Sequence, residues 1–391
     1  MISKYIVHII HDDKFIDMAM REFEAVAPGI HKFVIIGRAR SLRYIKSKSI
    51  LFHDRDSAKL LINLPNCAAV VFHAIPDLSY LRIIPGGKKI IWLGWGFDYY
   101  DRLLTAAFPT GLFLNKTRQL FNAKQSLARR TVRKIKSTVK WAIGRGSLQN
   151  KQLLTKVSAF SPVLDVEYRL VCQLNPWFKP DYLAWNYGTL EDDMLADGGS
   201  CTDPLGPHVL VGNSASFENN HLEVFDYLER HVDLTALKIY APLSYGDDLY
   251  KEKIITAGYK KFGDQFVPLT DFMEKDKYIA LLQSCGHVFM NHLRQQAVGN
   301  ICIMMLKGAK IYMNPQSPLY QWLLDRNAVI SAVGSTAFNA EASNQFADKH
   351  TLTPLTAEQI TCNQQAIRTH WGKAQQRLKT RQLIDYALQA A

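Results

Sequence analysis

Short apolar runs rich in β-branched residues recur along the chain with helical stretches between them, and this alternation limits what the chain can fold into. Tyr5–Ile10, Lys32–Ile36, Ile50–Phe52, Ala68–Phe72 and Lys89–Leu93 are too short for buried helices. They are apolar at successive positions, as the strands of a parallel sheet covered on both faces are. Phe15–Val26 and Ser57–Leu64 carry helical spacing between them. This order predicts a doubly wound α/β domain whose last strand lies near Tyr182–Trp185. A second alternation starts with a strand at His208–Val211 and a helix at Asn220–Arg230. It continues through strands at Leu237–Tyr240, Val288–Met290 and Ile311–Met313, with helices at Asp248–Ala257, Tyr278–Ser284, Val298–Leu306 and Leu319–Leu324. Between the two series, residues 189–207 are acidic and rich in Gly and Pro, as a linker is. The expected organisation is a first domain over 1–190 with a helical insert at 102–164, a second over 205–345, and a helical tail over 356–391. Two such domains predict a cleft, with ligands at the carboxyl ends of the strands.

Charge is distributed unevenly. The chain has 47 Lys and Arg against 35 Asp and Glu. No acid lies between Asp101 and Asp165, and the thirteen bases in that gap account for the whole excess. Ala128, Val132, Ile135, Val139 and Ala142 form one apolar stripe there, flanked by Arg129, Arg130, Arg133, Lys134, Lys136 and Lys140. A basic amphipathic helix fits an anionic membrane surface. Nucleic acid is not expected, because aromatics are sparse in the insert and no nucleic-acid motif is present. No run of about 18 apolar residues marks a membrane-spanning helix, and no signal peptide is read at the start. The six cysteines form no CxxC or zinc spacing, as expected of reduced thiols in the cytosol.

The motif richest in chemistry is Phe289-Met290-Asn291-His292-Leu293-Arg294-Gln295-Gln296-Ala297-Val298-Gly299-Asn300. Here a strand opens through polar residues into a very apolar helix. Free N–H groups at the helix start attract a diphosphate, Arg294 adds charge, and Gly299 lets phosphate oxygens approach. An ordinary capped strand–helix turn has the same pattern. Gly212-Asn213-Ser214 follows another strand and suits a donor's pyrophosphate or sugar, and Tyr240 ends the next strand on the same side. In the first domain, Trp92-Leu93-Gly94-Trp95-Gly96-Phe97-Asp98 interleaves glycine with aromatics, as a sugar platform does. Trp95 and His73 are expected to face an acceptor. Asp98 is the candidate general base with His11 in reserve, although Asp98 equally suits a helix cap. Asp54-Arg55-Asp56 is the only DxD, and Asp56-Ser57 reads as a cap, so no metal site is expected.

Leu210–Ser214 with Asn219-Asn220-His221, Tyr278–Cys285 and above all Arg294–Asn300 resemble the TDP-N-acetylfucosamine:lipid II N-acetylfucosaminyltransferases, glycosyltransferase family 56. The resemblance covers about 205–325 well and the first domain loosely. It implies the GT-B architecture, with the donor nucleotide held by the second domain and the C-terminal helices packed back toward the first. It implies a hexosyltransferase without metal or cofactor. Such an enzyme moves a deoxyamino sugar from a dTDP donor to an undecaprenyl-diphosphate-linked saccharide on the cytoplasmic face of the inner membrane, as in enterobacterial common antigen assembly. The alternatives are an O-antigen or capsule transferase using a UDP- or GDP-sugar, or a non-catalytic sugar-binding scaffold. A dehydrogenase or epimerase is disfavoured, because His11-Asp12-Asp13-Lys14 replaces the glycine fingerprint after the first strand.

Overall fold

A computed structural model describes residues 3–124, 145–194, 205–271, 273–333 and 349–389. Arg129, Arg130, Arg133, Lys134, Lys136 and Lys140 lie outside the described residues. The chain divides into two compact units. The first comprises residues 3–109, 145–194 and 370–389, and the second comprises 110–124, 205–271, 273–333 and 349–369.

The first unit is built on a parallel seven-stranded sheet of β1 (Tyr5–Ile9), β2 (His31–Ile36), β3 (Ile50–His53), β4 (Cys67–His73), β5 (Lys89–Leu93), β6 (Ala159–Ser161) and β7 (Asp181–Tyr182). Their spatial order is β3-β2-β1-β4-β5-β6-β7. Every residue of β1 is buried, His8 included, as in a strand covered on both faces. The strand order reverses between β1 and β4, where Ile9 pairs with Phe72. The crevice at such a reversal is where doubly wound sheets bind ligands.

The second unit repeats the plan with β8 (Val209–Val211), β9 (Ile239–Pro242), β10 (Phe266–Leu269), β11 (His287–Met290), β12 (Lys310–Met313) and β13 (Ser331–Ala332). These are all parallel, in the order β10-β9-β8-β11-β12-β13, with the reversal between β8 and β11.

Sequence reading missed β6, β10 and β13, and set the last strand of the first sheet one residue late. Pro268 hides β10, because proline lowers strand propensity. It is tolerated there because β10 is an edge strand. Asn115–Lys124 (α1), expected within the first domain's insert, packs in the second unit. Leu114 N donates to Asn220 Oδ1 at 2.8 Å, and the hydroxyl of Thr117 donates to Glu223 at 2.7 Å. The tail also divides: Ala357–Trp371 sits largely with the second unit and Lys373–Leu388 (α2) with the first. α2 places Leu383, Ile384 and Ala387 in one core with Ile6 and Phe23, and Trp185 Nε1 donates to Thr380 at 3.0 Å.

Candidate functional site

In the second unit, the loops after β8 and β11 meet at the strand-order reversal. Gly212 leaves β8 at φ +69°, and a Cβ there would lie 2.5 Å from His221 Nε2 and 2.7 Å from Asn219 Oδ1. Only glycine combines that backbone with that closeness. Asn219, fully buried, is the hub beneath. Its Oδ1 accepts from Asn213 N and from His292 Nε2, both at 2.9 Å, and its Nδ2 donates to Ser216 Oγ at 2.8 Å and to the Ser214 carbonyl at 3.1 Å. His292 Nε2 therefore carries the proton, and Nδ1 is buried with no hydrogen-bond partner among the described residues. Burial, then the charge of Arg294, lowers the His292 pKa to about 3, so the ring is neutral.

Above the hub, Gln296 Nε2 donates to Asn213 Oδ1 at 3.3 Å and to Ser216 Oγ at 3.2 Å, leaving its own Oε1 unpaired. Gln295 is buried beside it. Arg294 is half-buried and spends one N–H on the Gln295 carbonyl at 3.2 Å. Among the described residues it has no carboxylate partner. Ala297 takes the left-handed conformation, φ +57°, at the head of the helix Val298–Leu306. Such strain in a non-glycine residue costs about 1 kcal/mol and concentrates at functional sites. Gly299 is exposed, with open space where a Cβ would stand, and Asn300 follows half-buried. The structure thus brings together Gly212, Asn213, Ser214, Arg294, Gln295, Gln296, Gly299 and Asn300.

Tyr240 is not among them. Its ring packs 5.8 Å from His208, ahead of β8, at the other end of the sheet. Tyr245, which sequence reading passed over, is 57 % exposed and takes a hydrogen bond from Asn213 Nδ2 at 3.2 Å. Its signal was a glycine four residues past β9: Gly246, at φ +128°, lies against the Ala215 backbone and fixes the loop.

In the first unit, the loops after β1, β4 and β5 gather at the corresponding reversal. Asp98 is 1 % exposed and accepts from Trp92 Nε1 at 2.6 Å, and from Ile75 N and Trp95 N at 2.9 Å each. Arg102 donates to the carbonyls of Asp98, Ile75 and Pro76. Asp98 is therefore the tie between two loops, and the base assignment is corrected: a carboxylate with both oxygens occupied by internal donors has no face for an acceptor hydroxyl. Burial pushes its carboxyl above the usual range despite those donors.

His73 is also corrected. It is wholly buried, hydrogen-bonded on both nitrogens, and cannot touch an acceptor directly. His11 is half-buried, its Nε2 without a hydrogen-bond partner among the described residues, and burial, then Arg40, lowers its pKa. Trp95 is half-buried against Tyr187 and Phe15. Asp54, not Asp56, caps Arg55–Asn63, accepting from Ser57 N at 2.8 Å.

Residues 199–378 match the family model described as 4-alpha-L-fucosyltransferase, glycosyl transferase group 56. That match falls chiefly on the second unit, and the chain is a glycosyltransferase. The whole chain is similar in fold to sucrose-phosphate synthase from Thermosynechococcus elongatus, at 8 % identity and TM-score 0.59 over 99 % of this chain and 100 % of that one. It is similarly close to a lipopolysaccharide outer core galactosyltransferase, at 9 % identity and TM-score 0.59 over 98 % and 99 %. The alpha,alpha-trehalose 6-phosphate synthase of Burkholderia multivorans matches at 8 % identity and TM-score 0.58 over 99 % and 98 %. This glycosyltransferase has the GT-B architecture, two Rossmann-like units on parallel sheets of seven and six strands.

Proposed function

We propose that the glycosyltransferase takes its sugar from a nucleoside-diphosphate donor held in the second unit and passes it to a saccharide carried on a lipid diphosphate. The observation that carries this reading is the polar shell over Asn219. Arg294, without a carboxylate partner among the described residues, Gln296, Asn213 and the exposed start of the helix at Gly299 offer positive potential and N–H donors at one strand-order reversal. These groups stabilise the charge that builds on the leaving diphosphate. Tyr245 gives the donor's base or sugar a flat surface. In the first unit, Trp95 and His11 suit the acceptor's sugar. The resemblance of Arg294–Asn300 to the N-acetylfucosaminyltransferases favours a dTDP-linked deoxyamino sugar as donor and an undecaprenyl-diphosphate saccharide as acceptor.

Thermal-shift titration with dTDP, UDP and GDP, repeated on Arg294→Ala, tests the donor side. Stabilisation by dTDP, weakened at least tenfold in the variant, is the expected result. Preference for UDP or GDP reassigns the donor, and no response to any nucleotide overturns the reading.

The basic stretch within 102–164 is proposed to hold the enzyme at an anionic leaflet of the inner membrane, at about 1 kcal/mol per base near the surface. The charge pattern of the sequence supports this. Flotation with vesicles containing anionic lipid should carry the protein along at low salt and release it at high salt. Replacing Arg129, Arg130, Arg133 and Lys134 by Gln should abolish flotation, and equal flotation with neutral vesicles would count against the idea.

A further inference from the structure

The loops after β8 and β11 are fastened by a segment that lies 106 residues earlier in the chain. Residues 112–124 belong to the second unit, and Asn220 is the pin that joins them to it. Asn220 is fully buried in the left-handed conformation, φ +51°. Its Oδ1 accepts from Leu114 N at 2.8 Å. Its Nδ2 donates to the carbonyls of Asn291 and Glu218, both at 3.0 Å. One amide thereby joins the early segment, the loop after β8 and the loop after β11. Asn219, the hub of the polar shell, comes just before it, and Asn291 comes just before His292, which donates to that hub.

Further contacts hold the segment in place. Thr117 gives its backbone N–H and its hydroxyl to Glu223, at 3.0 Å and 2.7 Å. The rings of Phe113 and Phe121 lie 5.7 Å and 5.1 Å from that of Phe217, two residues before the hub. Lys124 pairs with Asp247 and stands over the Phe217 ring. Asp247 N donates to the Ala215 carbonyl at 2.9 Å, and Ala215 N donates to the Tyr245 carbonyl at 2.8 Å. The segment therefore touches the residues that frame Asn213, Ser214 and Tyr245.

We propose that residues 112–124 brace the donor-binding loops and that Asn220 is a positioning residue for sugar transfer; this rests on the donor's diphosphate lying at those loops. Asn220 acts through Asn219 and Asn291 and touches no donor atom itself. Groups that bind or stabilise a reacting ligand have to be held to within about 0.5 Å. Loops built of Gly, Asn, Ser and Gln have little apolar surface with which to hold themselves. The brace supplies it from outside, as aromatic rings against Phe217 and as one amide shared by both loops. Loops ordered beforehand also lose less entropy when the donor binds. Coupling of this kind is reciprocal. If the brace favours the arrangement that binds nucleotide, nucleotide favours the brace to the same degree.

The test uses the full chain and whichever of dTDP, UDP and GDP binds it most tightly. Hydrogen exchange is followed at Leu114 and Thr117, whose amides donate to Asn220 and Glu223. Saturating nucleotide should slow exchange at both by about fivefold or more. Asn220→Gly accepts the left-handed backbone but lacks the amide. Below its unfolding midpoint it should bind nucleotide about tenfold more weakly and lose that protection. With a nucleotide-sugar and a short polyprenyl-diphosphate-linked saccharide, its donor KM should rise similarly while kcat stays within threefold. Thr117→Val, which removes one hydroxyl from the brace, should weaken nucleotide about threefold and serves where Asn220→Gly does not fold. A merely structural role would lower the unfolding midpoint and leave the affinity of the folded variant unchanged. Wild-type affinity in both folded variants, or unchanged exchange at Leu114 and Thr117 with nucleotide bound, overturns the brace and leaves the donor reading standing. Failure of the wild type to bind any of the three nucleotides overturns the donor reading and the brace with it.

Discussion

Asp98 shows how much a single buried carboxylate can organise. Its oxygens gather an indole N–H and two backbone N–H groups from the loops after β4 and β5, the second of which carries Trp95 and Phe97. Asp98→Asn keeps the shape but turns an amide N–H toward donors, leaving at least one buried N–H unpaired. The expected cost is about 2 kcal/mol. Denaturant unfolding should show a lower midpoint, with turnover falling only as far as the loops loosen; unchanged stability would contradict the tie. Sequence alone offered cap and base as equal readings of Asp98. What separated them was the position of Trp92 Nε1 and Ile75 N, which no spacing in the chain encodes. Gly212 was legible as a loop glycine, but its reason, the ring of His221 pressed beneath it, comes from a helix nine residues on.

At the scale of elements, the reversal loops were the most readable part. An apolar strand, a polar turn and an apolar helix run consecutively from Phe289 to Leu306, so local pattern alone located the polar turn after β11. Partners distant in sequence were hidden. Lys116 and Lys124, counted as part of a free basic excess, form ion pairs with Asp226 and Asp247 in the second unit. The closing helix, Lys373–Leu388, has little periodicity to declare its face, yet it fills the first unit's core. Lys379, 4 % exposed, donates to Asn186 Oδ1 at 2.8 Å and to the His370 carbonyl at 2.7 Å. Deleting residues 370–391 should open the face of Ile6 and Phe23 and make the first unit sensitive to protease, while nucleotide still protects the second. Equal resistance of both would show that the helix is dispensable.

For the molecule as a whole, buried histidines set the acid limit of stability. His73, His221 and His292 have pKa values lowered to about 3, and His287 to about 4, in every case chiefly by burial. The unfolded chain takes up protons near pH 6.5 and the folded chain does not. The stability these groups contribute is therefore fully present above about pH 6.5 and is lost as pH falls toward their folded values. Each histidine adds a slope of about 1.4 kcal/mol per pH unit over that window. Unfolding free energy measured from pH 7.5 to 5 should begin to drop near 6.5, well above the carboxylate range, and a flat profile to pH 5 would refute this. The two-unit plan was legible because each sheet repeats the same alternation. The exchange of segments between units was not, because no local signal marks a chain that leaves one core for another.

That exchange has a consequence for how the protein is made. Ribosomes deliver β1 first and the helix that covers it last. While the second unit, whose segments between residues 110 and 369 arrive earlier, closes on itself, the first must hold Ile6, Phe23 and Ile35 without Leu383 and Ile384 over them. The order of birth is thus reversed in the order of completion: the half that emerges first is finished last, and until then its unfilled seam is a place for chaperones to hold.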